Sequence, residues 1–288
     1  MYTIQKEIHS ICDYIEFITS HRMSENSILW FRGHRDNTWN LEPNLFRDKE
    51  LDLEPGDFSV LRYKGIIDFK QALCLFKNKY KLSVMADSRL NSFHYMLIGQ
   101  HYGLKTPILD WTTDPLVALF FAIDKYEPHD SRYPVVFIIN PNKMNAFSRI
   151  RFADNSPICE PLCIDEADDS LFNKWFYDVN NMNFSPIPFA IQSNYDLSHR
   201  ISRQSGVFTI VDIMQPRYYP WIQTVIEDNK PLGITLKINP ASVPSIRQHL
   251  TALSISEQTI YGQDRKEVDE ICESIVRAAP RIESLYKK

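Results

Sequence analysis

Ile108-Leu109-Asp110-Trp111-Thr112-Thr113-Asp114-Pro115-Leu116-Val117-Ala118-Leu119-Phe120-Phe121-Ala122 reads as a short apolar strand that stops at polar residues and passes at once into an apolar helix. Asp114 suits the helix cap and Pro115 the first helical position, so a helix is expected to run to about Ile123. A polar strand-to-helix junction is where α/β-type proteins place ligands, because the free N-terminal amides face an anion there. The polar, aromatic run Gln100-His101-Tyr102-Gly103 stands just upstream.

Outward from this junction, helical and strand patterns intermix. Ile8, Ile11, Tyr14, Ile15 and Ile18 recur at helical spacing over 8–19. Ser27 to Gly33 reads as a buried strand closing on a glycine turn. Helical faces return over Val60–Tyr80 (Ile66, Phe69, Leu73, Phe76) and Ala86–Tyr102 (Leu90, Phe93, Met96, Leu97). Strands are expected at Pro134–Asn140, Gly206–Ile213 and Leu232–Ile238, and helices at 241–250 and 264–277. The proline-bearing stretch 141–200 is expected to be a long surface excursion that frames a site. With no strict βαβ rhythm, the expected class is α+β: a mixed central sheet with a helical N-terminal portion over 1–24. No linker divides the chain, so a single domain over 1–288 is expected.

Composition excludes several classes. A net charge of −4 gives no global basic field, so backbone binding to nucleic acid needs a local patch. Eight glycines and no P-loop or GxGxxG argue against a Gly-rich phosphate loop. The five scattered cysteines read as reduced intracellular thiols, and Cys159 and Cys163 lack a second nearby pair for a metal. No signal peptide or membrane-length apolar run is present, so a cytoplasmic protein without a membrane partner is expected. HExxH and GxSxG are absent, and the acids Glu160, Asp165, Glu166, Asp168 and Asp169 read as a solvated loop.

The chemistry-bearing residues fall into clusters. Arg32 follows a strand and precedes Gly33, which permits close approach; its guanidinium suits a phosphate or carboxylate, or else an internal partner such as Asp110. His34 crowds the same turn. Gln100, His101 and Tyr102 sit where they either cap a helix end or meet an anion, the helix dipole favouring the protonated His101. Asp110 binds ligand hydroxyls or locks Arg32 or His101; Trp111 offers a stacking face; Thr112 and Thr113 cap the helix or bond a sugar. Arg203 and Gln204 stand just before a strand opening at Gly206.

Trp30-Phe31-Arg32-Gly33-His34, Trp39-Asn40-Leu41-Glu42-Pro43-Asn44-Leu45-Phe46-Arg47, the run 100–122 and Arg203-Gln204-Ser205-Gly206-Val207-Phe208 together resemble the FRG domain family over roughly 25–280. Pro107 stands where that family usually has an Arg, so any ligand contact by that Arg is lost. The order of parts is also similar to that of ADP-ribosyltransferases. That resemblance implies NAD as cofactor, with Arg32 on its pyrophosphate, Thr112 or Thr113 at the nicotinamide ribose, and Tyr102 or Trp111 against nicotinamide. Gln204 would bond a ribose hydroxyl, and Asp110 would supply the charge that Gln204 lacks. An ADP-ribosyltransferase or NAD glycohydrolase is then expected, acting on a protein or nucleic-acid acceptor, and the family context suggests a bacterial toxin or anti-phage effector. Two other readings stay open: a non-catalytic module sensing a nucleotide or phosphorylated ligand, and a structural ionic network of Arg32, Asp110 and Arg203.

Overall fold

The computed structural model describes residues 3–25, 28–47, 60–83, 88–128, 131–148, 156–176, 187–195, 197, 199–211, 221–223, 231–262, 270, 271, 273, 274, 276 and 277. In chain order these form β1 (Lys6–Ile8), α1 (Ile11–Glu25), β2 (Trp30–His34), α2 (Val60–Ser83), α3 (Ser92–His101), β3 (Ile108–Thr112) and α4 (Pro115–Ile123). There follow β4 (Val135–Ile139), α5 (Pro141–Ser148), β5 (Leu162–Cys163), α6 (Asp169–Phe176), β6 (Phe189–Gln192), α7 (His199–Arg203), β7 (Gly206–Ile210), β8 (Gly233–Ile238), α8 (Val243–Ala252) and α9 (Glu257–Ile260).

The strands form one sheet in the order β1-β8-β4-β2-β3-β7-β6-β5. The β1–β8 and β5–β6 pairs are parallel and the rest antiparallel, which makes this the α+β class with a mixed sheet. Side chains alternate between the faces of a strand. With Phe31 opposite Thr112 and Asp110 opposite Phe208, one face carries Phe31, Gly33, Asp110, Thr112 and Phe208. The other carries Trp30, Arg32, His34, Leu109 and Trp111. Apolar clusters bury both faces: α4 packs against Phe31 and α3 against Phe208 on the first, and Trp30, Leu109, Trp111 and Phe137 form the cluster on the other.

Close packing of α4 explains Gly33. A Cβ there would stand 2.0 Å from the Ala118 carbonyl oxygen and 2.5 Å from the Ala122 nitrogen, so the glycine admits the helix rather than a ligand. Asp114 caps α4 by accepting from the Leu116 and Val117 amides, with Pro115 in the first turn.

Several boundaries differ from expectation. Ile8 lies in a strand, because β8 offers its backbone a parallel partner and α1 starts only at Ile11. The helix expected from Ala86 starts at Ser92, where Asn91 and His94 form a reciprocal cap. The stretch 141–200 carries α5, β5, α6 and β6 among its described residues, elements too short to show a period. Asn140 starts α5 by accepting from the Asn142 and Lys143 amides. Asp212 and Ile213, residues 264–269 and the side chains of Ile66 and Arg200 lie outside what is described, as does Cys272.

The acidic run is not a uniformly solvated loop. Asp165 is nearly buried against His94, 2.9 Å away, and Asp169 holds Lys77 at 3.0 Å and the Ser92 amide at 2.7 Å. These carboxylates fasten α3 and α2 to the segment beside α6.

Candidate functional site

A cleft of about 140 Å³ opens on the Asp110 face of the sheet, between the C-terminal end of α3 and α7. Leu97, Ile201, Gly206 and Phe208 supply apolar wall, and Gln100, His101, Asp110, Trp111 and Gln204 also line it. The β3–β7 register puts Phe208 beside Asp110, and α7 is held over them by a tight turn. Ser205 adopts the left-handed conformation with φ 47°, and a Cβ on Gly206 would approach Ile201 Cγ2 to 3.0 Å. Small side chains at this turn let α7 close one side of the cleft.

Asp110 is exposed, and its carboxylate is oriented by a chain of hydrogen bonds. Gln100 Nε2 donates to Asp110 Oδ1 at 2.5 Å, and the buried Thr106 hydroxyl donates to Gln100 Oε1. The Thr106 amide in turn donates to Asn44 Oδ1 at 2.7 Å. Gln100 is thus locked with its NH2 toward the carboxylate. Sequence reasoning missed Thr106 and Asn44 as supports; the Asn44 carboxamide acts across a long stretch of chain, where no local pattern reveals it.

Arg32 does not line the cleft. Strand β2 pairs with β4 along its whole length, but with β3 only at Phe31–Thr112, so β2 and β3 diverge beyond that point. The Arg32 guanidinium occupies the divergence and donates through Nη1 to the backbone carbonyl of Asp110. Its Nε donates to His34 Nε2 at 2.9 Å. The expected Arg32 contact with Asp110 therefore exists, but to the peptide oxygen rather than to the carboxylate, because the two side chains leave opposite faces of the sheet.

The remaining expected site residues divide clearly. Thr112 is buried; its hydroxyl donates to the Gln204 carbonyl at 2.6 Å and accepts from the Asp114 amide at 3.0 Å, so it positions Gln204 and the start of α4. Thr113 is exposed, its amide tied to the Ser205 carbonyl at 3.1 Å and its carbonyl to Arg22 at 3.2 Å. Tyr102 caps α3 and meets His101 edge-on, ring centroids 4.8 Å apart, outside the cleft lining. Trp111 spends its indole N–H on Thr209 at 3.0 Å, on the far face. Arg203 is exposed and lies against Gly262, whose missing Cβ makes room for the guanidinium. Among the described residues Arg32, Asp110 and Arg203 form no mutual ion pair, so the ionic-network reading fails. Gln204 lines the cleft, with Nε2 3.4 Å from the Ile260 carbonyl.

A second polar cluster, Cys163–Asp165–His94, has the residue types of a nucleophile relay but not its chemistry. His94 Nδ1 accepts from the Asn91 amide at 3.1 Å, so the ring proton sits on Nε2 and goes to Asp165. Neither ring nitrogen is left to serve as base. Burial, reinforced by the Asp165 charge, pushes the Cys163 thiol pKa up, away from thiolate. For Asp165, burial alone would raise the carboxyl; hydrogen bonds from Ser193, His94 and the Asn194 amide outweigh it and hold it below the usual range. Among the described residues no group of three or more His, Cys, Asp or Glu side chains is placed to hold a metal. No described helix is long and apolar enough to cross a membrane.

Fold and cleft together define an α+β protein with a polar-lipped, apolar-walled hollow between the end of α3, α7 and strands β3 and β7. The FRG domain family model matches residues 27–131, from β2 to just beyond α4, and that segment is an FRG domain. The match contains Arg32, Gln100 and Asp110, whereas Gln204 and β7 lie beyond it. No curated protein and no solved structure matches the chain.

Proposed function

We propose that the cleft binds the glycosidic end of a nucleotide, with NAD as substrate, and that the protein transfers or hydrolyses its ADP-ribosyl group. The observation carrying this reading is the exposed Asp110 carboxylate, held by Gln100 and facing the same hollow as Gln204. Breaking a glycosidic bond develops positive charge on the ribose, which a fixed carboxylate stabilises. Nicotinamide leaves with the bonding electrons; water or an acceptor nucleophile attacks the ribose carbon and loses its proton. The hollow is smaller than the roughly 300–1,000 Å³ of drug-sized sites, so it suits a ribose or one ring rather than a whole dinucleotide. The phosphates would then lie outside it, beyond the rim that Gln100, His101 and Gln204 help to form. A cytoplasmic toxin or anti-phage role is the setting in which such an activity would act.

Two observations favour a second reading, nucleotide sensing without chemistry. Gln204 is uncharged, and the Thr112 hydroxyl is committed to the backbone rather than to the cleft.

Incubating the protein with NAD and measuring nicotinamide release separates the two readings. Catalysis predicts release by the native chain and a loss of about 100-fold or more in Asp110→Asn, the scale on which a transition-state charge partner acts. Thermal stabilisation by NAD or ADP-ribose without release selects the sensing module. Neither release nor stabilisation ends both readings.

A further inference from the structure

We propose that the turn following β2 is a docking platform for single-stranded nucleic acid, with a base stacked at Trp39 and the backbone phosphates on Arg35 and Arg47. The platform is separate from the cleft and does not rest on the reading given for it.

Trp39 is 44% exposed, an unusual position for an indole, yet its turn is held firmly. Asp36 Oδ1 accepts from the Thr38 amide at 2.8 Å and from the Thr38 hydroxyl at 2.6 Å, while Asp36 Oδ2 takes Arg132 at 3.1 Å. The Asn37 amide donates to the Tyr133 carbonyl at 3.0 Å, and Asn37 Oδ1 accepts from the Tyr133 amide at 3.1 Å. These bonds anchor the turn to the start of β4, so the indole is presented with little ordering left to do on binding.

Two arginines stand near it, Arg47 being held on the same loop by donation from its Nε to the Glu42 carbonyl at 2.8 Å. The Arg35 guanidinium lies over the Trp39 ring, 5.1 Å from its centroid. His34 packs against Trp39 at 6.0 Å, and Arg47 is close enough to His34 to act on its protonation. Arg35 and Arg47 are both exposed. The acid within the turn, Asp36, is already matched by Arg132 and Thr38. Arg35 and Arg47 are two exposed cations able to meet phosphates in a chain whose net charge is −4. Aromatic stacking with flanking arginines is the sequence-tolerant way to hold an unpaired base. Two separate exposed arginines beside one exposed indole favour a polymer that adds successive phosphates over a free nucleotide with one.

The test is fluorescence anisotropy of a labelled single-stranded oligonucleotide with the full chain at low and moderate salt. Binding that weakens with salt is expected. Trp39→Ala should weaken it roughly 10-fold, with Trp39→Tyr restoring most of the loss, because stacking is worth about 1–3 kcal/mol per base. Arg47→Ala should lower affinity and reduce the salt slope by about 1. Arg35→Ala should act likewise, and these two surface changes test the patch even if Trp39→Ala disturbs the turn. Asp110→Asn should leave binding unchanged, whatever becomes of nicotinamide release. The proposal is overturned if the oligonucleotide does not bind, or if the Trp39 and arginine variants bind like the native chain. It also fails if Asp110→Asn abolishes binding, or if AMP competes as well as the oligonucleotide.

Discussion

Arg32 and His34, on the same face of β2, are joined by a hydrogen bond of 2.9 Å from Arg32 Nε to His34 Nε2. The arginine can only donate, so the imidazole accepts at Nε2 and its proton rests on Nδ1. That Nδ1 is buried; the Trp39 backbone lies near enough to favour the proton slightly, but not in hydrogen-bond geometry. Burial first, then the charges of Arg32 and Arg47, hold the His34 pKa well below its ordinary value of 6.5. His34 therefore serves the fold as a neutral acceptor that aims Arg32 into the strand divergence.

A pH dependence follows from that depression. Below the unfolded pKa of 6.5 the unfolded chain takes up a proton that the folded chain refuses. Stability should therefore fall as pH drops from about 6.5, by up to about 1.4 kcal/mol per unit from this one group. Denaturant melts between neutral pH and pH 5 should show the slope, and His34→Gln, which keeps an acceptor for Arg32, should flatten it.

Gly33→Ala should be severely destabilising although it adds one methyl group. The new Cβ meets the backbone of α4 at Ala118 and Ala122 rather than a side chain that could swing away. Overpacking against fixed atoms costs about 1–3 kcal/mol or more, read as a lower urea midpoint at unchanged m-value.

Asn145 joins α5 to β6. Its Nδ2 donates to the Glu160 carbonyl at 2.6 Å and the Ala190 carbonyl at 3.1 Å, and its Oδ1 accepts from the Ala190 amide at 2.6 Å. Asn145→Ala should lose about 1–3 kcal/mol for each buried group left unpaired. Equilibrium unfolding measures the loss, and hydrogen exchange should show the Ala190 amide losing protection.

Asp165 should govern acid tolerance near α3. Its folded pKa lies below the ordinary value of 3.8, so its stabilisation is present above that value and is lost as pH falls through the folded pKa. Asp165→Asn should remove that part of the acid transition and leave His94 facing an amide. Acid titration followed by far-UV circular dichroism would show it.

Thr106→Val should disturb the cleft without emptying the core. Valine matches threonine in shape but cannot donate to Gln100 Oε1, so the amide loses the bond that turns its NH2 toward Asp110. Affinity for ADP-ribose measured by calorimetry should drop several-fold, the worth of one neutral hydrogen bond of about 1 kcal/mol, while Thr106→Ser retains it.

Much was legible along the chain because its causes are local. The Asp114-Pro115 helix start, strands β2, β4 and β8, and the clustering of polar residues around 100–113 all follow from spacing, capping and propensity between near neighbours. The residues around Arg32-Gly33 and Gln100–Ala122 likewise carried the FRG resemblance that the family match over 27–131 bears out. What depended on partners far away in sequence was not legible. Ile8 became a strand residue because β8 runs beside it, and within 141–200 the described strands β5 and β6 join the sheet, with Asn145 tying α5 to β6. At the site, residue types alone placed Asp110 and Gln204 as candidates, but only the sheet register decided that both open onto one hollow while Arg32 leaves by the opposite face. Side-chain alternation makes face a matter of strand pairing, and pairing is settled by contacts between segments the linear chain holds far apart.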